Sequence, residues 1–353
     1  MTEARQTPPS EEEALVLAKA GNVAAFDRLM APYQRLLGAH CYRMLGSPHD
    51  ADDAMQETLL AAWKGLAAFE GRSGLKTWLY QIATNICLRA ISKRPKRVLS
   101  QDHAPSLNDA SDLGQPVMEP IWIEPLLDGD PLSDVGIDSE PAALLQRRQN
   151  VALAFIAALQ HLPGTQRAVL LLRDVLEYSA AEAAEVLETS VASVNSALQR
   201  AQKAVRDKLP TVSQASAQLS LGDAALRKLL AAFMTAWEAR NVNDLVALLT
   251  EDAQFTMPPL PAWFDGREAV SRFIADRLLV TPWRLQPLWA NGQPGFACYI
   301  QMPGQTDFRL GAINLLSVRD GRIAAVNSFL DPALHARLGI SPRPPAEKVP
   351  SDR

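Results

Sequence analysis

The chain has 353 residues, of which 48% are apolar and 21% charged, and its formal net charge is -4. At roughly 100 to 200 residues per domain this length predicts two or three domains, and the composition excludes wholesale disorder and fibrous repeats. No stretch approaches the roughly 18 apolar residues of a membrane span, and the acidic start MTEARQTPPSEEE lacks the apolar segment of a signal peptide, so a cytoplasmic protein with no membrane span is expected.

Charge is segregated along the chain. Residues 1–97 carry +3, residues 98–145 carry -10 with no Lys or Arg, residues 146–209 carry +2 and residues 210–353 carry +1. The acidic total therefore leaves nucleic acid open as a partner. Cys41, Cys87 and Cys298 show no ligand spacing and give an odd count, which predicts buried thiols rather than a disulfide framework or a zinc site. No cofactor is implied.

From residue 11 to residue 94 the pattern is helical. Ala51, Ala54, Met55, Leu59, Ala62, Trp63 and Leu66 form one apolar stripe, with Asp50, Asp52, Asp53, Gln56 and Glu57 outside it. After the turn at residues 70–74, a helix over 75–92 sets Trp78, Tyr80, Thr84 and Asn85 among cations, and the run Lys93, Arg94, Lys96, Arg97 closes the block. Aromatic rings beside cations suit unpaired bases, which stack at roughly 1 to 3 kcal/mol each while the cations hold the backbone. A core role for Trp78 and Tyr80 is the competing reading.

The string DADDAMQETLLAAWKGLAAFEGRSGLKTWLYQIATNICLRAISKRPKR, residues 50–97, resembles region two of the sigma-70 family, in its extracytoplasmic function group of bacterial RNA polymerase sigma factors. The resemblance implies that Asp50, Asp53, Gln56 and Glu57 dock on the clamp helices of the polymerase largest subunit. It implies further that Phe69, Arg72, Lys76, Trp78, Tyr80, Asn85, Lys93, Arg94, Lys96 and Arg97 recognise and melt the minus-ten element of promoter DNA. Gln81 stands where the family often has Arg.

Residues 98–140 read as an acidic linker rich in Pro, Gly, Ser and Asp. In sigma factors this segment runs through the polymerase active-site cleft and RNA exit path, where an acidic chain meets cationic walls. A disordered tether is the alternative, although Ile121-Trp122-Ile123 is apolar enough to dock.

Residues 141–210 predict four helices, among them one over 143–159 and one over 165–176. Ser179 and Glu182 form a capping-box signature for a third. The turn Glu188-Thr189-Ser190 leads to a last helix with Val191, Val194, Leu198, Ala201, Val205 and Leu209 inside. Ser193, Asn195, Ser196, Gln199, Arg200 and Lys203 lie outside it, a helix-turn-helix pattern whose Asn, Gln and Arg suit base edges. The string LPGTQRAVLLLRDVLEYSAAEAAEVLETSVASVNSALQRAQ resembles region four of the same family, which implies contact with the minus-35 element and the polymerase flap. Glu188 occupies a turn position where the family has Gly, which predicts a positive backbone angle there, and Asn195 replaces a frequent Lys.

Beyond a joint at residues 210–221 the pattern changes to helices (around Leu226–Trp237, then residues 243–249 and 268–279) followed by strands over 283–290, 295–302, 308–319 and 322–330. The string AFMTAWEARNVNDLVALLTEDAQFTMPPLPAWFDGREAVSRFI resembles the SnoaL-like branch of the nuclear transport factor two superfamily, which implies an α+β cone with a pocket. Met257, Trp263, Phe264, Trp283, Trp289, Tyr299 and Phe329 are candidates to line it around a small ligand. Asp252, Asp276, Asp331 and His335 form no constellation by spacing, so no catalytic residue is assigned.

The expected architecture is multidomain: two all-α domains and a C-terminal α+β SnoaL-like cone. The boundaries are 11–97 for region two, 98–140 for the linker, 141–210 for region four, 219–339 for the cone and 340–353 for a flexible tail. The function the resemblance implies is promoter-directed initiation with the cone regulating in cis. Two other readings stay open: a SnoaL-type enzyme fused to a DNA-binding module, and a helix-turn-helix regulator that acts without polymerase.

Overall fold

The computed structural model describes residues 10–130, 149, 152–210 and 212–345. These divide into two compact units, the first holding 10–95, 130 and 158–208, the second 96–129, 149, 152–157, 209–210 and 212–345.

The first unit is entirely helical. Ser10 and Glu13 form a capping box for α1 (Glu11–Lys19), and α2 (Val23–Leu45) starts at Asn22 and stops at Gly46, whose φ of 72° a side chain would resist. Ser47 caps α3 (Pro48–Gly65), and α4 (Leu75–Lys93) follows Gly74. Ala51, Ala54 and Ala62 of the predicted α3 stripe are buried, and they meet Leu37, Tyr42 and Met44 of α2 and Leu79, Ala83 and Ile86 of α4, which are buried as well. Cys41 and Cys87 are free thiols in this core.

Two helices follow in sequence, α5 (Ser100–His103) and α6 (Leu153–Gln160). The helix expected over 143–159 is described only in this second part; residues 141–148 lie outside the described residues. In the first unit α7 (Gly164–Leu170) widens into a π turn over Leu171–Val175, where the sequence predicts plain helix to residue 176. Ser179 and Glu182 close the expected capping box on α8 (Ala180–Val186), and Ser190 caps α9 (Val191–Arg206). Glu188 between them has a φ of 50°, the positive angle its turn position predicts.

The second unit is α+β. Helices α10 (Gln214–Leu221), α11 (Asp223–Glu238) and α12 (Val242–Ala247) lead into β1 (Leu249–Thr256), β2 (Trp263–Asp265) and α13 (Arg267–Phe273), which ends in a π turn over Ile274–Leu278. Then come β3 (Trp283–Ala290), β4 (Gln293–Ile300), β5 (Arg309–Arg319), β6 (Arg322–Phe329) and α14 (Pro332–Arg337). The sheet order is β2-β1-β6-β5-β4-β3, with β1 parallel to β6 and the other neighbours antiparallel. Strands β1 and β2 escaped the sequence reading. The burial of β1 does not alternate, and its pairing with β6 slips between Leu249 and Gln254, so no period of two was there to find.

Residues 96–129 pack within this second unit. Val98 pairs with the segment around Trp122, donating to Ile121 O at 2.7 Å and accepting from Ile123 N at 3.2 Å. Leu107 N reaches Trp263 O at 2.8 Å, Val117 N reaches Pro259 O at 2.8 Å, and Leu126 O accepts from Asn291 N at 2.9 Å. Ile121, Trp122, Ile123 and Leu126 are buried. For this stretch the docked alternative holds: its few apolar residues outweigh its acidic composition. Residues 131–140 lie outside the described residues. Near the chain end, Pro342 O accepts from Leu310 N at 3.0 Å.

Candidate nucleic-acid interface

Helix α3 turns Gln56 and Glu57 to solvent, and Leu60 beside them is 53% exposed. Sequence reasoning missed Leu60; an apolar residue interrupting an otherwise polar face is the signal that marks it. Asp50 is buried instead and ion-paired with Arg94, whose second terminal nitrogen lies 3.8 Å from Asp53. Residues expected to meet two different partners thus meet each other.

On α4 and the turn before it, Trp78 is half-buried, 4.9 Å from the ring of Phe69, with Lys19 Nζ 5.5 Å from that ring. Gly65 leaves room for Trp78, which comes within 3.1 Å of where a Cβ would stand. Arg72, Lys76, Lys93 and Lys96 are exposed, and Asn85 is half-buried. Two expected residues are placed otherwise. Tyr80 is fully buried, and Arg97 is 6% exposed in the second unit, donating to Trp122 O and lying 3.4 Å from Glu124. Arg97 closes a basic run in sequence, but the docked segment supplies acceptors that draw it inward. Beneath Thr84, His40 Nε2 sits 2.9 Å from Oγ1, and burial followed by the charge of Arg43 pulls this imidazole down to about 3.

On α9, Val194, Ala197, Ala201 and Val205 are buried, while Ser193, Asn195, Ser196, Gln199, Arg200 and Lys203 form one exposed face. Lys203 pairs along the helix with Asp207 at 2.9 Å. The outer face is polar and cationic, the chemistry a groove-reading helix needs.

The candidate pocket residues of the cone are not gathered in one place. Met257, Phe264 and Trp283 belong to a packed core with Phe233, Trp237, Phe255, Phe273 and Phe296, in which Phe233 stacks on Phe296 at 5.6 Å. Trp263 donates to Ala104 O at 2.7 Å, and Trp289 is 38% exposed. Tyr299 lines a cavity of about 390 Å³ with Gln286 and Leu288; Phe329 lines another of about 180 Å³ with Trp122 and Pro259. Asp331 caps α14, Asp252 pairs with Arg319, and buried His335 lies 2.7 Å from Phe329 O.

Comparison with known proteins follows the same division. Residues 29–97 match Sigma-70 region 2, residues 152–205 match Sigma-70, region 4, and residues 230–326 match the SnoaL-like domain. The chain is 42% identical over 322 residues to the ECF RNA polymerase sigma factor SigG of Mycobacterium tuberculosis, covering 88% of this chain and 82% of that one. It is 28% identical over 192 residues to SigW of Bacillus subtilis, covering 54% and 92%. The solved structure of the M. tuberculosis extracytoplasmic function sigma factor SigJ shares the fold at a TM-score of 0.58 and 22% identity, over 90% of this chain and 99% of that one. With all three parts present in that order, the chain belongs to the extracytoplasmic function RNA polymerase sigma factors.

Proposed function

We propose that this protein binds core RNA polymerase and directs promoter-specific initiation in the cytoplasm, with its SnoaL-like domain regulating that activity in cis. The polar face of α3, formed by Gln56 and Glu57 around exposed Leu60 and flanked by Asp50 and Asp53, is the surface for the clamp helices of the largest subunit. The Phe69 to Lys96 segment takes the minus-ten strand, with Trp78 as the stacking platform and Arg72, Lys76, Asn85, Lys93 and Arg94 along the backbone. The exposed face of α9 takes the minus-35 element, and region four contacts the flap. The observation that carries this reading is the exposed row Ser193, Asn195, Ser196, Gln199, Arg200 and Lys203 on a capped second helix, in a chain that also holds a region-two domain.

The domain boundaries proposed are 11–97, 98–140, 141–210 and 219–339, with 340–353 as tail. Regulation in cis is motivated by the hold of the second unit on residues 96–129, the stretch that joins the two DNA-binding regions. The cavity at Tyr299 is the place for a small ligand, its size falling within the usual range for such sites. No catalytic role is assigned to the cone.

The experiment is association of the full chain with core polymerase by sedimentation. Wild type co-sediments, and Leu60→Asp weakens association by about tenfold or more, since a buried charge in an apolar contact costs at least 1.4 kcal/mol. Wild-type sedimentation as a free protein at every core concentration would refute the reading.

A further inference from the structure

The aromatic pair ahead of DNA is braced from a helix outside the matched family segment. Helix α1 ends at Lys19, before the region-two match begins at residue 29. Its buried residues are Ala14 and Ala18, so little apolar packing holds it. Its end is nevertheless fixed. Gly21, at a φ of 91°, turns the chain so that its N donates to Ala18 O at 3.0 Å and Asn22 N donates to Leu17 O at 3.1 Å, and Asn22 at once caps α2. Half-buried Lys19 is thereby delivered to one place.

That place is the connection between α3 and α4. A 3-10 turn over Leu66–Ala68 ends at Phe69, whose extended backbone, at a ψ of 112°, carries its carbonyl out of the helical ladder. Lys19 Nζ donates to this oxygen at 2.5 Å and lies 5.5 Å from the centroid of the Phe69 ring. Phe69 in turn lies 4.9 Å from Trp78 at an interplanar angle of 35°. On the other side of the indole, Cζ2 comes within 3.1 Å of where a Cβ on Gly65 would stand. Gly65 belongs to α3, so Phe69 on the short connection is the wall of Trp78 that can shift, and one ammonium holds both its carbonyl and its ring.

We propose that Lys19 is a positioning residue for promoter opening: it clasps Phe69, which keeps the Trp78 ring in the orientation that receives an unpaired minus-ten base, without touching DNA itself. The proposal rests on the assignment of minus-ten stacking to Trp78. A lysine in the last turn of a helix ordinarily just complements the helix dipole. Lys19 does more because its ammonium reaches a residue 50 positions away.

The test is a double-mutant cycle on the full chain bound to core polymerase. The readout is the rate of promoter opening, followed by 2-aminopurine in the minus-ten non-template strand of a promoter selected from a genomic library. Lys19→Met should bind core and melt thermally as wild type does, yet open the promoter about three- to tenfold more slowly, as for one partly exposed hydrogen bond lost. Lys19→Arg keeps the donor and the cation and should restore opening. In a Trp78→Ala background Lys19→Met should cost nothing further. Equal opening by wild type and Lys19→Met overturns the clasp, as does an equal loss in Lys19→Arg. Losses that add in the double variant overturn it too, since the ammonium then meets DNA on its own account. Weakened core binding by Lys19→Met would leave Lys19 a fold-holding role only, against the proposal. If Trp78→Ala alone opens the promoter at the wild-type rate, the stacking assignment is what fails, and Lys19 has nothing to position.

Discussion

Single buried side chains set how the first unit responds to acid. His40 is neutral in the fold, held against Thr84 with Nδ1 unpartnered among the described residues, and its pKa of about 3 lies far below the unfolded value near 6.5. Below about pH 6.5 the unfolded chain takes up a proton that the fold refuses, so stability is full above that pH and falls steadily toward pH 3. Buried His335 is shifted in the same direction, so the second unit loses stability with the same sign. Urea unfolding between pH 7 and 4 should show His40→Gln losing less stability than wild type as pH falls. Equal slopes would place the acid sensitivity elsewhere. His40 carried no signal in the sequence, because a His on a helical stripe reads alike whether buried or exposed. Arg97 failed for a related reason: the acceptors that bury it stand 25 residues away and no local pattern points to them.

Elements were legible where one period ran unbroken. The stripe of α3, the capping box of α8 and the apolar positions of α9 are legible in the sequence, and α1 and α2 only as parts of one helical block, whereas β1 and β2 do not alternate and the π turns after α7 and α13 look like helix. The exposed face of α9 yields a prediction at this scale. Arg200→Ala should reduce the salt slope of promoter binding by about one unit if Arg200 sits on a phosphate, with a uniform loss across sequences; a slope identical to wild type would remove it from the interface. The docked segment yields another. Trp122 is 7% exposed and donates from Nε1 to Val117 O at 2.9 Å, so Trp122→Ala should cost about 3 kcal/mol within the second unit. Limited proteolysis should then cut between residues 98 and 129, and resistance equal to wild type would show that Trp122 does not secure the segment.

For the whole molecule, the order of parts was readable from charge and periodicity together: a basic helical block, an acidic stretch, a polar helix pair, then helices followed by strands. What composition hid is that the acidic stretch packs within the second unit, where Ile121, Trp122, Ile123 and Leu126 are buried and backbone hydrogen bonds tie it to the neighbouring strands and loops. On the proposed function the chain is an initiation factor whose α4 surface reads the minus-ten strand. Run-off transcription with bacterial core polymerase, on promoters selected from a genomic library, tests it most directly. The full chain should initiate only with core present, and Trp78→Ala, matched to wild type in melting temperature, should initiate roughly tenfold less, within the range of one lost base stack. Equal initiation by wild type and Trp78→Ala, or no core-dependent transcript from any promoter, would contradict this role for α4.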